Sequence, residues 1–253
     1  MKYAQIIFSP TGGTKAAAEA VTARWDGPVE TVDLCTPPGA PAEASFAPED
    51  LVLIAMPSYG GRVPALAAER LGKLQGNGAA CVLLCVYGNR AYEDTLVEMA
   101  DLAEGCGFRV IAGAAALAEH SIVRKIAAGR PDGADREVLG EMSGKILEKF
   151  RSGPGAPVQR PGNRPYKKAG GGGMVPHAGK GCVECGRCAA QCPAGAISPA
   201  NVREVDKARC ISCMRCVSVC PKGVRKLNAA VLAGASAMLQ KICGGRKECE
   251  LFL

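Results

Sequence analysis

Tryptophan occurs once in this chain and histidine twice, at His120 and His177, and aromatic rings make up only 4% of its 253 residues. Binding to nucleic acid relies on cations interleaved with stacking aromatics. The 31 Lys and Arg here are not so arranged, and a formal charge of +7 by itself does not point to that partner. No apolar run approaches the ~20 residues that cross a bilayer. The apolar N-terminus reads as a short strand rather than an export signal. Two nucleotide signatures are missing, the G-x-x-x-x-G-K-[ST] loop and the G-x-G-x-x-G turn. Acidic residues are scarce at one end: Met1 to Phe150 carries 14 Lys and Arg against 19 Asp and Glu, whereas Arg151 to Leu253 carries 17 against 5. The halves therefore stand at −5 and +12.

Cysteine, by contrast, is abundant at 14. Cys182, Cys185, Cys188 and Cys192 read C-x2-C-x2-C-x3-C before Pro193; Cys210, Cys213, Cys216 and Cys220 repeat it 28 residues later before Pro221. Thiolates are soft ligands, and four together select zinc or an iron–sulfur cluster. A zinc ribbon separates two C-x2-C pairs by a longer loop. Three cysteines in one tight turn, with proline after the fourth, favour iron–sulfur over zinc or disulfides. From Lys180 to Lys226 the chain resembles the two-[4Fe–4S] ferredoxin family. The resemblance implies one cluster on Cys182, Cys185, Cys188 and Cys220 and another on Cys210, Cys213, Cys216 and Cys192. Because the ligands cross, the two halves are expected to assemble as one unit. Val183, Ala196, Ile197, Ile211, Val217 and Val224 are expected to wall the clusters.

The first 150 residues alternate apolar strands with helical patterns. Strands are expected over Tyr3 to Phe8, Val29 to Leu34, Asp50 to Met56, Ala79 to Tyr87 and Phe108 to Ala116. Helices are expected over Thr14 to Trp25, Pro64 to Leu74, Tyr92 to Gly105 and Asp135 to Arg151. Continuously apolar strands between helices imply a parallel sheet buried on both faces. Five of them suit the doubly wound order 2-1-3-4-5, whose ligands bind beyond the carboxyl ends of the strands.

Three loops lie at those ends. Ser9-Pro10-Thr11-Gly12-Gly13-Thr14-Lys15 runs from the first strand into a helix N-terminus, where free N–H groups and the dipole favour an anion. It matches the S/T-x-T-G-x-T loop with which flavodoxins hold the phosphate of FMN, placing Ser9, Thr11, Gly12, Gly13 and Thr14 around it. In that resemblance the ring is flanked by Pro57-Ser58-Tyr59-Gly60-Gly61 and by Tyr87-Gly88-Asn89-Arg90, with Tyr92 beside them. The whole chain resembles a family of flavodoxin–ferredoxin fusions found in anaerobes, including Gly162-Asn163-Arg164-Pro165-Tyr166-Lys167 before the cysteines.

The resemblance implies an α/β flavodoxin-like FMN domain at 1–151, a Pro/Gly-rich connector at 152–179, a small α+β two-cluster domain at 180–226, and a C-terminal helix and tail at 227–253. The run Gly170 to Gly173 is expected to be flexible. Segment 162–167 is expected to bring an aromatic and two cations near the redox centre. Leu227, Val231, Ala235, Met238 and Ile242 fall at helical spacing and are expected to pack on one of the domains. Cys35, Cys81, Cys85 and Cys106 are expected in or near the core. His120, after the fifth strand, is expected on a surface loop, with the flavin edge as the alternative, and Cys243 and Cys249 are not expected to form a disulfide or an exposed thiol pair. Each cluster and the FMN phosphate bring about −2, which offsets the cations. The expected function is electron transfer between two [4Fe–4S] clusters and FMN, serving a redox-protein donor or acceptor in a reducing cytoplasm. The alternative is a flavin-dependent reductase of a small-molecule acceptor, and the sequence leaves a homodimer open.

Overall fold

The structure, a computed structural model, describes residues 1–39, 44–153, 156–170 and 172–253. The chain opens with β1 (Tyr3–Ile7), α1 (Gly13–Thr22), β2 (Val29–Asp33), β3 (Leu51–Pro57), α2 (Ala65–Leu71), β4 (Ala80–Tyr87), α3 (Thr95–Gly105), β5 (Arg109–Leu117) and α4 (Gly133–Arg151). The five strands are parallel in the order β2-β1-β3-β4-β5, a flavodoxin-like doubly wound sheet. Side chains alternate between its two faces. Ala4, Ile6, Val52 and Ile54 face α2 and α3, where Leu71 and Met99 meet them. Ile7, Leu51 and Leu53 face α1 and α4, meeting Val21, Leu139 and Ile146. Strand β4 is buried along its whole length. Cys35, Cys81 and Cys85 lie in this core as small apolar groups, with Cys106 half-buried at its edge.

The second half continues with β6 (His177–Ala178), α5 (Arg187–Ala190), α6 (Arg215–Ser218), β7 (Arg225–Lys226), α7 (Ala229–Ile242) and β8 (Glu250–Phe252). β6 and β7 pair antiparallel and clasp the two cysteine runs. The sheet has six strands rather than the five expected, because β8 joins the edge antiparallel to β5, Ala114 opposite Leu251. Three residues were too few to show as a strand by periodicity. The tail leading into β8 is held by side chains: Arg130 donates to the Lys247 carbonyl at 2.7 Å and is ion-paired in the core with Asp135. Removing one partner of such a buried pair costs about 3–5 kcal/mol.

The apolar spacing in α7 misjudged its buried face. Ala235 and Leu239 pack with Cys243 on Val123 and Ile126 of the flavodoxin-like domain, while Val231, Met238 and Ile242 are exposed. Leu227 is buried but precedes the helix. Cys243 and Cys249 are free thiols.

The connector is fastened to α3 along much of its length. Asp94 accepts from the backbone N–H of Asn163 at 2.8 Å and of Lys167 at 2.7 Å. Arg160 pairs with Glu104, Arg164 and Tyr166 meet Asp101, and Lys167 meets Glu93. Arg62 stacks 4.7 Å over the Tyr166 ring while pairing with Glu98. Segment 162–167 is thus a strap on α3, and its aromatic and cations face carboxylates. Gly171, inside the glycine run, lies outside the described residues.

Candidate cofactor sites

Beyond the carboxyl ends of β1, β3, β4 and β5 lies a cleft of about 1170 Å³. Thr11, Gly13, Thr14, Pro57, Ser58, Tyr59, Gly60, Tyr87, Gly88 and Arg90 line it, as the loops suggested. Gly12, left-handed at φ 96°, precedes α1 and has no side chain to cap it; Ser9 takes the Lys15 N–H, and among the described residues the N–H groups of Gly13 and Thr14 are left for an anion. Gly13 is required by packing, since a Cβ there would stand 2.8 Å from the Cβ of Ala118. Tyr59 to Arg62 form a tight turn with Gly60 and Gly61 at φ 62° and 86°. A Cβ on Gly61 would collide with the Glu93 carboxylate.

Five residues assigned to the cofactor from sequence do not line this cleft. Ser9 is buried: its hydroxyl accepts from Lys15 N–H at 2.9 Å and its N–H meets Cys35 Sγ at 3.1 Å. Burial pushes that Cys35 thiol up to about 12. Gly12 faces a neighbouring cavity, and Gly61 shapes the turn. Asn89 turns away and donates to the carbonyls of Cys243 and Gly245, both at 2.9 Å. Tyr92 donates to Glu250 at 2.6 Å and packs edge-on against Tyr87. Pairing with the tail, which lies more than 150 residues away, left no local signal for either.

Conversely, His120 belongs to the cleft wall and not to an outer loop, together with Glu119, Ser121, Ile122, Met174, Met238 and Leu239. His120 Nδ1 accepts N–H bonds from Ile122 at 3.2 Å and Val123 at 3.0 Å, which places its proton on Nε2. Burial, with Arg90 nearby, holds its pKa below the ordinary value. Its position after β5, the end at which such folds bind ligands, was the available clue.

The eight repeated cysteines surround two smaller cavities. One, about 380 Å³, is lined by Cys182, Cys185, Cys188 and Cys220; the other, about 330 Å³, by Cys192, Cys210, Cys213 and Cys216. Each cavity thus takes three thiols from one run and the fourth from the other. Among the described residues no three candidate ligands converge closely enough for a single metal ion, so the thiols surround spaces rather than points. The repeat extends to the backbone: Glu184 and Ser212 have φ 53° and 54°, Gly186 and Met214 φ 73° and 62°. A left-handed side-chain-bearing residue costs about 1–2 kcal/mol. Successive N–H groups in such bends form an anion-binding concavity. Burial opposes ionisation of Cys220, yet the N–H groups of Arg225, Val224, Lys222 and Gly223 hold its pKa below the ordinary thiol value. Burial pushes the thiols of Cys213 and Cys216 up to about 12 and 11.

The cavities differ in exposure. Cys192, Cys213 and Cys216 are buried, whereas Cys185 is exposed and Val183, expected to wall a cluster, is 59% exposed. Ala196 and Ile197 are buried as expected, with Ile211, Val217 and Val224 half-buried. Ile211 also packs on the core of the flavodoxin-like domain, and Ser212 lines the large cleft. Arg215 donates to the Pro10 carbonyl at 3.2 Å, and Arg70 to that of Pro193 at 2.6 Å.

Residues 181–224 match the 4Fe-4S dicluster domain family. No curated protein matches the chain. Among solved structures, rubredoxin oxygen:oxidoreductase of the anaerobe Desulfovibrio gigas is 14% identical over 60% of this chain, with a TM-score of 0.42. The chain covers 36% of that protein, about a third of its length. Flavodoxin 1 of Bacillus cereus is likewise 14% identical, over 58% of this chain and 98% of its own, with a TM-score of 0.43. No helix among the described residues is long and apolar enough to cross a membrane.

Proposed function

We propose that the chain is an electron-transfer flavoprotein in which two [4Fe–4S] clusters exchange electrons with FMN. The observation that carries this reading is a shared wall. Ser212 lies between two cysteines of the second cavity and also lines the large cleft, while Arg215, beside Cys216, bonds to the loop at the cleft's phosphate end. Thr11, Gly13 and Thr14 would hold the FMN phosphate at the start of α1. Ser58, Tyr59, Gly60, Tyr87, Gly88 and Arg90 would border the ring. The domain limits 1–151, 152–179, 180–226 and 227–253 belong to the same proposal.

Bound together, the cofactors supply single-electron steps from iron–sulfur and one- or two-electron chemistry from flavin. The chain supplies placement. Its buried thiols keep water from the second cavity, and the N–H groups around Cys220 favour a thiolate. The exposed edge of the first cavity, with Lys180, Arg187, Lys222 and Lys226 exposed in the surrounding segments, would meet an external redox protein. A reductase acting on a small organic acceptor remains the second reading, because His120 keeps a proton on Nε2 in the cleft.

Iron, sulfide and flavin counts on anaerobically purified protein test the assignment, with about eight iron expected per chain. Cys192→Ala should damage the second cluster more than the first although it lies in the first run. Selective loss of the cluster on Cys182 would reverse the crossed assignment. Saturable turnover of a specific small acceptor would favour the reductase.

A further inference from the structure

Arg225 is 2% exposed, and no carboxylate pairs with it among the described residues. Its Nη1 donates to the Val202 carbonyl at 2.7 Å and reaches Cys188 Sγ at 3.4 Å. Nε and Nη2 are buried without any hydrogen-bond partner. Isolating a guanidinium in this way is unfavourable unless an anion meets it. The first repeat does not ask for a cation here: 28 residues earlier stands Ile197, buried to a similar degree at 3%. An apolar side chain therefore satisfies the fold at this position in one half, and the second half departs from it.

Among the described residues the side-chain hydrogen-bond partner of Arg225 is a cysteine sulfur, and Glu184, the carboxylate that also lines the first cavity, pairs with Arg203 instead. Arg225 lines the first cavity beside Cys188 and Cys220. Its charge also acts on Cys216 and Cys210 of the second cavity. One side chain thus meets a thiol of the first set and acts through its charge on two of the second. We propose that Arg225 is a counter-ion shared by the two iron–sulfur clusters and that it raises the reduction potential of both. The inference rests on the cluster assignment proposed above. Reduction adds one negative charge to a cluster that is already anionic, so a fixed cation and N–H···S bonds stabilise the reduced form more than the oxidised one. Sharing has a further consequence: an electron on one cluster draws on the same cation that serves the other.

The test compares Arg225→Met and Arg225→Lys with the unaltered protein, measuring both cluster potentials by EPR-monitored titration beside iron and sulfide counts. Arg225→Met should lower both potentials by at least the equivalent of tenfold in the reduction equilibrium, about 59 mV for one electron. Arg225→Lys, which keeps the charge but not the forked donors, should fall between. A purely structural role would change loading and leave the potentials of loaded protein in place. Unmoved potentials in loaded Arg225→Met overturn the proposal, and movement of one cluster alone overturns the sharing. If the Met variant does not load, an unshifted Lys variant overturns it instead. Unaltered protein without iron–sulfur would sink the cluster assignment itself, a failure separate from that of Arg225.

Discussion

Single residues carry the difference between a site and a turn in the loop after β1, which is proposed to hold the FMN phosphate. Ser9, Thr11 and Thr14 look equivalent by sequence, yet only the threonines border the cleft, while Ser9 is spent on Lys15 N–H inside the fold. Hydrogen bonds to a charged phosphate are worth roughly 1.5–3 kcal/mol each. Replacing Thr11 and Thr14 together by Ala should therefore weaken FMN more than tenfold, with riboflavin affinity nearly unchanged. Fluorescence titration of the apoprotein with both ligands distinguishes this from a general loss of the fold, which would weaken the two equally. Residue chemistry was legible where a regular spacing marks it, as in the cysteine runs, although each cavity takes its fourth thiol from the other run. It was not legible for Asn89 and Tyr92, whose partners Gly245 and Glu250 arrive from the far end of the chain.

Among the elements, those with a strong period were read to within a few residues. β3 and β4 are apolar throughout because helices cover both faces of the sheet. What escaped were elements whose stability comes from distant side chains: the three-residue β8 and the strap at 162–167. The strap depends on carboxylates of and beside α3. Arg90 hydrogen-bonds Glu93 and Lys167 pairs with it, lowering the Glu93 pKa from the ordinary 4.5 to about 2. A carboxylate depressed on folding adds stability that is fully present above its unfolded pKa and fades as pH falls through the folded one. The stability advantage of the unaltered protein over Glu93→Gln should thus be full at pH 7. It should shrink from about pH 4.5 and vanish towards pH 2. Urea midpoints of the two proteins across that range measure it, and a constant difference would show that the Glu93 charge does not hold the strap.

At the scale of the whole molecule, charges of −5 and +12 suggest two halves docked by attraction between a basic cluster domain and an acidic partner domain. The structure distributes that attraction differently. Its ion pairs between the halves lie in the strap and the tail, where Arg160, Arg164, Lys167 and Arg246 meet Glu104, Asp101, Glu93 and Asp132. The cluster domain itself meets the flavodoxin-like domain through Ile211 against the core and through arginine bonds to the carbonyls of Pro10 and Pro193. Apolar packing and bonds to neutral carbonyls respond weakly to salt, whereas exposed ion pairs are screened over about 10 Å at 0.1 M. Tethering at both the strap and the tail also holds the effective concentration of one half near the other high. Electron transfer between the clusters and FMN, followed by rapid mixing, should accordingly be first order. Its rate should not change on tenfold dilution and should change little on raising salt. A rate that rises with protein concentration would show that electrons pass between chains, and the shared wall at Ser212 would then not be the route.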